Sequence, residues 1–200
     1  AIRVAANATG NIFAGALLRL GASLWAIAAF GFCFVGFASF ATITQSHASG
    51  AVIGSSPIGF GFGGLVGTAV SGTTITETYA TSFVSGPSST GGLVGSEDSL
   101  SVQNSYWDVL TSGQSTSAGD AIGVTTASLQ AGLPSGFSGD TWGILPGLSY
   151  PYLLSRFPNG PLVVSGFVGG TPSPAAAPVG LPAGGRIRGT SFSRADGYYY

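Results

Sequence analysis

Charge is what this chain has least of. Asp, Glu, Lys and Arg make up 6% of its 200 residues, where about 25% is usual for a soluble domain. Lysine is absent, and the six arginines are scattered, with Arg186 and Arg188 the only close pair. Neutralising a nucleic-acid backbone needs a basic stripe, so a nucleic-acid partner is excluded. Methionine is absent too, and a chain running from Ala1 to Tyr198-Tyr199-Tyr200 reads as a piece of a longer protein. The single cysteine, Cys33, rules out an intrachain disulfide framework and a multi-cysteine metal site. Between Phe32 and Phe34 it reads as a small buried hydrophobe.

The scarcity extends to catalytic bases. His47 is the only histidine, so the abundant Ser and Thr hydroxyls have almost nothing to activate them. No G-x-S-x-G elbow, H-E-x-x-H or P-loop occurs. "GFGFGG" at 59–64 has the letters of a dinucleotide fingerprint but not the flanking strand, helix and downstream acid. Glycoside hydrolysis needs two carboxyls across a cleft. The acids are Glu77, Glu97, Asp98, Asp108, Asp120, Asp140 and Asp196, of which Glu77 and Asp108 fall in successive repeats. No enzymatic activity, cofactor or metal is expected. Asn7-Ala8-Thr9 is a glycosylation sequon that matters only in a eukaryotic secretory setting.

What is plentiful is glycine, 34 residues, and it recurs at fixed offsets. Three stretches align: "FVGFASFATITQSHASGAVIG" at 34–54, "LVGTAVSGTTITETYATSFVSG" at 65–86 and "LVGSEDSLSVQNSYWDVLTSG" at 93–113. Each opens on Val-Gly: Val35-Gly36, Val66-Gly67 and Val94-Gly95, the last two inside GGLVG with Gly64, Leu65, Gly92 and Leu93. A β-branched anchor follows seven, eight and seven residues after that glycine, at Ile43, Ile75 and Val102. Four residues on stands a ring (His47, Tyr79, Tyr106), and eleven on a glycine (Gly54, Gly86, Gly113). Short β-branched and aromatic segments bounded by Gly and Ser are strand and turn language. A unit of about thirty residues cannot bury its own apolar face, so copies must stack. The expected fold is all-β: a parallel β-helix over 32–124. His47 is a repeat-position ring rather than a base.

"GGLVG" followed by "ITETYATSFVSG" resembles the GLUG motif of large secreted bacterial surface proteins. "NSYWDVLTSGQSTSAGDAIGVTTASLQAGLPSGF" through "WGILPGLSYPYLL" is similar to the segment closing such arrays in filamentous-haemagglutinin-like exoproteins. The likeness spans about residues 32–160 and departs from the pattern in the first copy, where Phe32-Cys33 replaces Gly-Gly and His47 replaces Tyr. It implies a right-handed β-helix in the passenger of a two-partner-secreted or autotransported adhesin. The implied partners are a host or neighbouring cell surface, glycans, and an outer-membrane secretion partner acting on the parent chain.

The flanks are read separately. Residues 1–31 are an apolar N-terminal segment, and Leu20 to Ile43 carries no charge, long enough to span a bilayer. Phenylalanines at 30, 32 and 34 instead recur with a strand period, so an apolar degenerate repeat is preferred over a membrane segment within 12–43. Residues 125–160 form a closing segment: a Thr-capped helical turn with Leu129 and Leu133 on one face and Pro134 as its stop, then Trp142, Leu145, Leu148, Tyr150, Tyr152, Leu153 and Leu154. These are expected to cap the exposed end of the solenoid. A sugar-binding aromatic platform is the alternative. Over 161–200, "TPSPAAAPVGLPAGG" reads as a spacer that does not pack. "VVSGFV" with "ADGYYY" resembles the start of a carboxypeptidase-regulatory-like β-sandwich, truncated here.

The sequence thus predicts a structural, adhesive rod segment of a secreted or surface-displayed bacterial exoprotein. The alternatives are a polysaccharide-acting β-helix enzyme or its carbohydrate-binding module, and a membrane-anchored small ectodomain.

Overall fold

The computed structural model describes residues 35–55 and 61–161, with four short strands beyond them. Strands come in chain order as β1 (Val35–Ser39), β2 (Thr42–Ala48), β3 (Ala51–Ile53), β4 (Phe62–Gly63), β5 (Val66–Ala80), β6 (Phe83–Ser85), β7 (Thr90–Gly91), β8 (Val94–Gln103) and β9 (Tyr106–Asp108). Helix α1 (Val109–Ser112), β10 (Ile122–Val124), α2 (Thr126–Ala131), β11 (Trp142–Gly143) and β12 (Tyr152–Leu153) follow. The chain is mostly β, and its principal sheet is parallel throughout: β5 is flanked by β1 and β2 on one side and by β8 and β9 on the other, and β10 extends β9.

The register places like residues of each copy side by side. Val35 pairs with Val66 and Val66 with Val94; Ile43 pairs with Ile75 and Ile75 with Val102; His47 pairs with Tyr79 and Tyr79 with Tyr106. The extra residue of the middle copy is absorbed locally. The β5–β8 register shifts between Val70 and Thr73, where Ser71 and Gly72 both take left-handed backbone at φ 53° and 70°. A bulge takes up an inserted residue without moving the anchors on either side of it.

Each copy also bends at a second place. Gln45, Glu77 and Asn104, each two residues past its anchor, all have positive φ, between 46° and 52°. Neighbouring positions then turn to opposite sides. Ile75 and Ala80 join Leu65, Val66, Leu93, Val94, Val102 and Trp107 in one buried cluster, whereas Tyr79 and Tyr106 join a second.

Glycine makes the close stacking possible. A methyl group added at Gly67 would sit 2.6 Å from the Gly36 carbonyl oxygen and 2.7 Å from that of Gly61. One added at Gly92 would run into the indole of Trp107, which fills the volume left small by Ala48 and Ala80 in the other copies.

The third copy departs from the other two. Gly54 and Gly86 follow the paired strands β3 and β6 and lie against the Phe62 ring, but Gly113 caps a helical turn. Asp108 starts that turn by accepting from the Leu110 and Thr111 amides, and Gly113 ends it at φ 68°. A partial fourth course follows, in which Ser117 Oγ receives the Leu93 and Val94 amides and β10 pairs with β9.

Of the apolar run at 12–43, residues 12–34 lie outside the described residues, and Val35–Ser39 and the start of β2 are strand. Among the described residues no helix is long and apolar enough to cross a membrane. In the tail, β13 (Gly166–Phe167) pairs with β16 (Tyr198–Tyr199), and β14 (Pro178–Gly180) with β15 (Thr190–Phe192), both antiparallel. The Pro/Ala/Gly spacer reading therefore fails at 178–180. Proline lacks a backbone donor but still offers its carbonyl, which suits an outer strand of a two-stranded pair.

Gly67→Ala should lower the free energy of unfolding by about 1–3 kcal/mol, because backbone crowds the position from two sides. Gly72→Ala meets open space and bears only the strain of left-handed backbone, so about 1 kcal/mol is expected. Urea titrations followed by circular dichroism would test the ordering.

Candidate functional site

Two surfaces of the stack carry side chains of chemical interest: the row of rings and the rows of hydroxyls. His47 stacks on Tyr79 with centroids 5.3 Å apart and planes 8° from parallel. Tyr79 and Tyr106 are buried, and His47 is partly so. Residues 125–157 run over them as a strap, bringing Leu129, Phe137, Trp142, Tyr150 and Leu153 into one buried cluster with Tyr79 and Tyr106. Trp142 meets His47 edge-on at 6.2 Å, Phe137 meets Tyr106 at 5.8 Å, and Tyr150 stacks on Tyr79 at 6.2 Å.

Polar contacts fix the strap to every copy. Gln45 Nε2 donates to Thr141 Oγ1 at 3.2 Å, Tyr79 donates its hydroxyl proton to the Pro151 carbonyl, and Tyr106 donates to that of Ser135 at 2.9 Å. This corrects the expectation that the closing segment caps the end of the array. It braces a lateral face instead, because the ring position of each repeat points outward and leaves an apolar row that only a lengthwise cover can bury. Of the predicted cap residues, Leu129, Trp142 and Tyr150 are buried there, with Leu133 packed against them. Tyr152 turns to Phe157, and Leu148 is 63% exposed.

The strap's firmest anchor is Asp108, which is fully buried. Its Oδ1 accepts the Leu110 and Thr111 amides, and its Oδ2 accepts the Thr126 hydroxyl at 2.6 Å and the Tyr150 hydroxyl at 2.7 Å. A buried carboxylate is tolerable when its lone pairs are filled in this way. Burial first, and the adjoining Asp108 carboxylate next, push the Tyr150 phenol well above its ordinary value. Tyr150 was legible only as an aromatic of the closing segment and Thr126 only as part of its helical turn, which Thr125 caps; nothing local in the sequence links either to Asp108.

The two acids of successive copies, Glu77 and Asp108, are engaged in separate networks. Glu77 accepts from Gln45 at 3.4 Å, whereas Asp108 is consumed by its four donors. Glu97 and Asp98 lie exposed at a corner, Glu97 accepting the Leu100 amide. Among the described residues no group of three His, Cys, Asp or Glu side chains could hold a metal ion.

The second surface is made by residues flanking the anchors. Thr42, Thr74 and Ser101 are successive partners across the sheet, as are Thr44, Thr76 and Gln103. Thr74 Oγ1 donates to Thr42 Oγ1 at 3.2 Å, and Thr42, Ser101 and Gln103 are exposed.

Comparisons with protein-family models, with curated proteins and with solved structures find no match to this chain.

Asp108→Ala should lower stability by about 3 kcal/mol or more, since it strands buried donors, and Tyr150→Phe by about 1–2 kcal/mol. The raised Tyr150 value means that the folded state holds its proton where the unfolded chain releases it. That contribution is complete below the ordinary tyrosine value and is lost as pH rises past it. Absorbance titration should find one phenol ionising only with alkaline unfolding.

Proposed function

We propose that this chain is a structural, adhesive segment of a secreted or surface-displayed bacterial exoprotein, its GLUG-type copies wound as a right-handed parallel β-helix. The observation that carries the reading is the in-register parallel pairing of three copies, which leaves an uncharged outer surface of Thr, Ser and Gln in rows. Stacked short strands make a stiff element in which each copy covers the next. Neutral hydroxyls in water gain little from any single new partner, so attachment through such a face depends on many weak contacts repeated along the rod. The partner class is a host or neighbouring cell surface, or its glycans, with secretion handled through the parent chain.

The enzymatic alternative has less support, because the two acids from successive copies serve separate hydrogen-bond networks. A sugar-stacking platform at Trp142 and Tyr150 is disfavoured as well, since both rings are buried.

Binding of the full chain to immobilised surface glycans and to whole cells is the test. Surface retention is expected to fall about tenfold, or roughly 1.4 kcal/mol, when Thr42 and Ser101 are both replaced by Lys. Retention that is absent, or indifferent to these changes in a folded protein, would sink the proposal.

A further inference from the structure

We propose that His47 acts as an acid-sensitive latch between the strand stack and the strap that covers it. The His47 ring is held between Tyr79, on which it stacks, and Trp142, which meets it edge-on from the strap. Its Nδ1 is enclosed and has no hydrogen-bond partner. In the other two copies a tyrosine occupies the same place and sends its hydroxyl to a strap carbonyl. The first copy thus places an imidazole where the other two carry a phenol, at the point where the strap's tryptophan meets the row, against both His47 and Tyr79.

Among the described residues, no carboxylate is placed to stabilise an imidazolium there. Strand β2 carries no charged residue. On β5, Tyr79 faces the ring, and Glu77 is turned to Gln45. On the strap, Trp142 and Thr141 are neutral, and Asp140 is exposed. Attraction of an imidazolium to the two aromatic neighbours offsets part of the cost of a buried charge and leaves the rest. Accordingly, burial lowers the His47 pKa from its usual 6.5 to about 4.

The consequence for the strap has a definite sign. A lifted strap returns His47 to water and to its ordinary titration, so the open state binds more protons than the closed one between pH 6.5 and about 4. Closure is complete in strength above that window and weakens about tenfold per pH unit as pH falls through it, levelling off below the closed-state value. Strap amides such as Gly147 and Leu154 donate to Gln130 and Thr141 within the strap, and since a lone two-stranded pair and short turns are marginal in water, they are protected only while the strap rests on the stack. Amides of β5 report the sheet.

Hydrogen exchange on the full chain, corrected for intrinsic rates, is the measurement. Between pH 6.5 and 4.5, protection over residues 137–157 should fall by roughly fortyfold, short of a full hundredfold because His47 of the lifted state is already half protonated at pH 6.5, with β5 protection unchanged. His47→Tyr, which installs the ring of the other copies, should flatten the strap's pH dependence; His47→Phe repeats the test if the phenol is not accommodated. Strap protection that is flat in the parent chain would overturn the latch. So would an equal fall in the variants, which would place the acid sensitivity elsewhere than at His47. A fall shared by β5 would mean general unfolding and overturn it too.

Discussion

Close approach of backbones at the repeat corners is the constraint on which the rest of the molecule depends. Parallel strands sit about 4.8 Å apart, and here the segment entering β4 must also pass against the starts of β5 and β8. The Gly61 amide donates to Thr68 Oγ1, and a methyl at Gly95 would meet the backbone of Gly61 and Phe62. Only residues without a Cβ allow that approach. Once the corners close, Leu65, Val66, Leu93 and Val94 are fully buried as neighbours in sequence, and the anchors that follow have no freedom to slip. A one-residue slip would send Ile75 outward and Tyr79 inward.

From that register comes the division of labour between the two faces of the strands. Inward positions are small wherever the stack is tight: Ala48, Ala80, and the buried hydroxyls of Ser46, Thr78 and Ser105. Outward positions one residue further on are rings, too large and apolar to be left in water. The strap is therefore a consequence of the repeat, not an independent module. Asp108 joins the two systems, for it belongs to the last strand of the stack, begins α1, and holds Thr126 and Tyr150 of the strap.

The sequence spoke clearly about the offsets that repeat and weakly about what happens once. Val-Gly, the β-branched anchor and the ring were legible because identical environments demand like residues, and even the extra residue of the middle copy was visible in the spacing. The left-handed bends were not, since Gln45 and Glu77 are residue types that seldom adopt positive φ. Their only signal was a polar residue two places after each anchor. The turn at Val109–Ser112 had a readable signature, an Asp before it and a Gly after it, hidden by the expectation that the third copy would repeat the first two. The strap's placement along a side, rather than over an end, rests on contacts such as Gln45 with Thr141 that lie 96 residues apart. No local pattern encodes such a contact.

Stacked repeats are ordinarily coupled only to their neighbours, so their ends fray at little cost to the middle. The strap changes that rule here. One continuous segment takes a hydrogen bond or ring contact from Gln45 and His47 in the first copy, Tyr79 in the second and Tyr106 in the third. Lifting the first copy therefore disturbs a cover shared with the third, and the energy of opening one course is drawn partly from contacts made by the others. Local opening becomes more nearly global opening. In a stack with so few charged residues, this lateral brace links distant copies that do not touch one another directly.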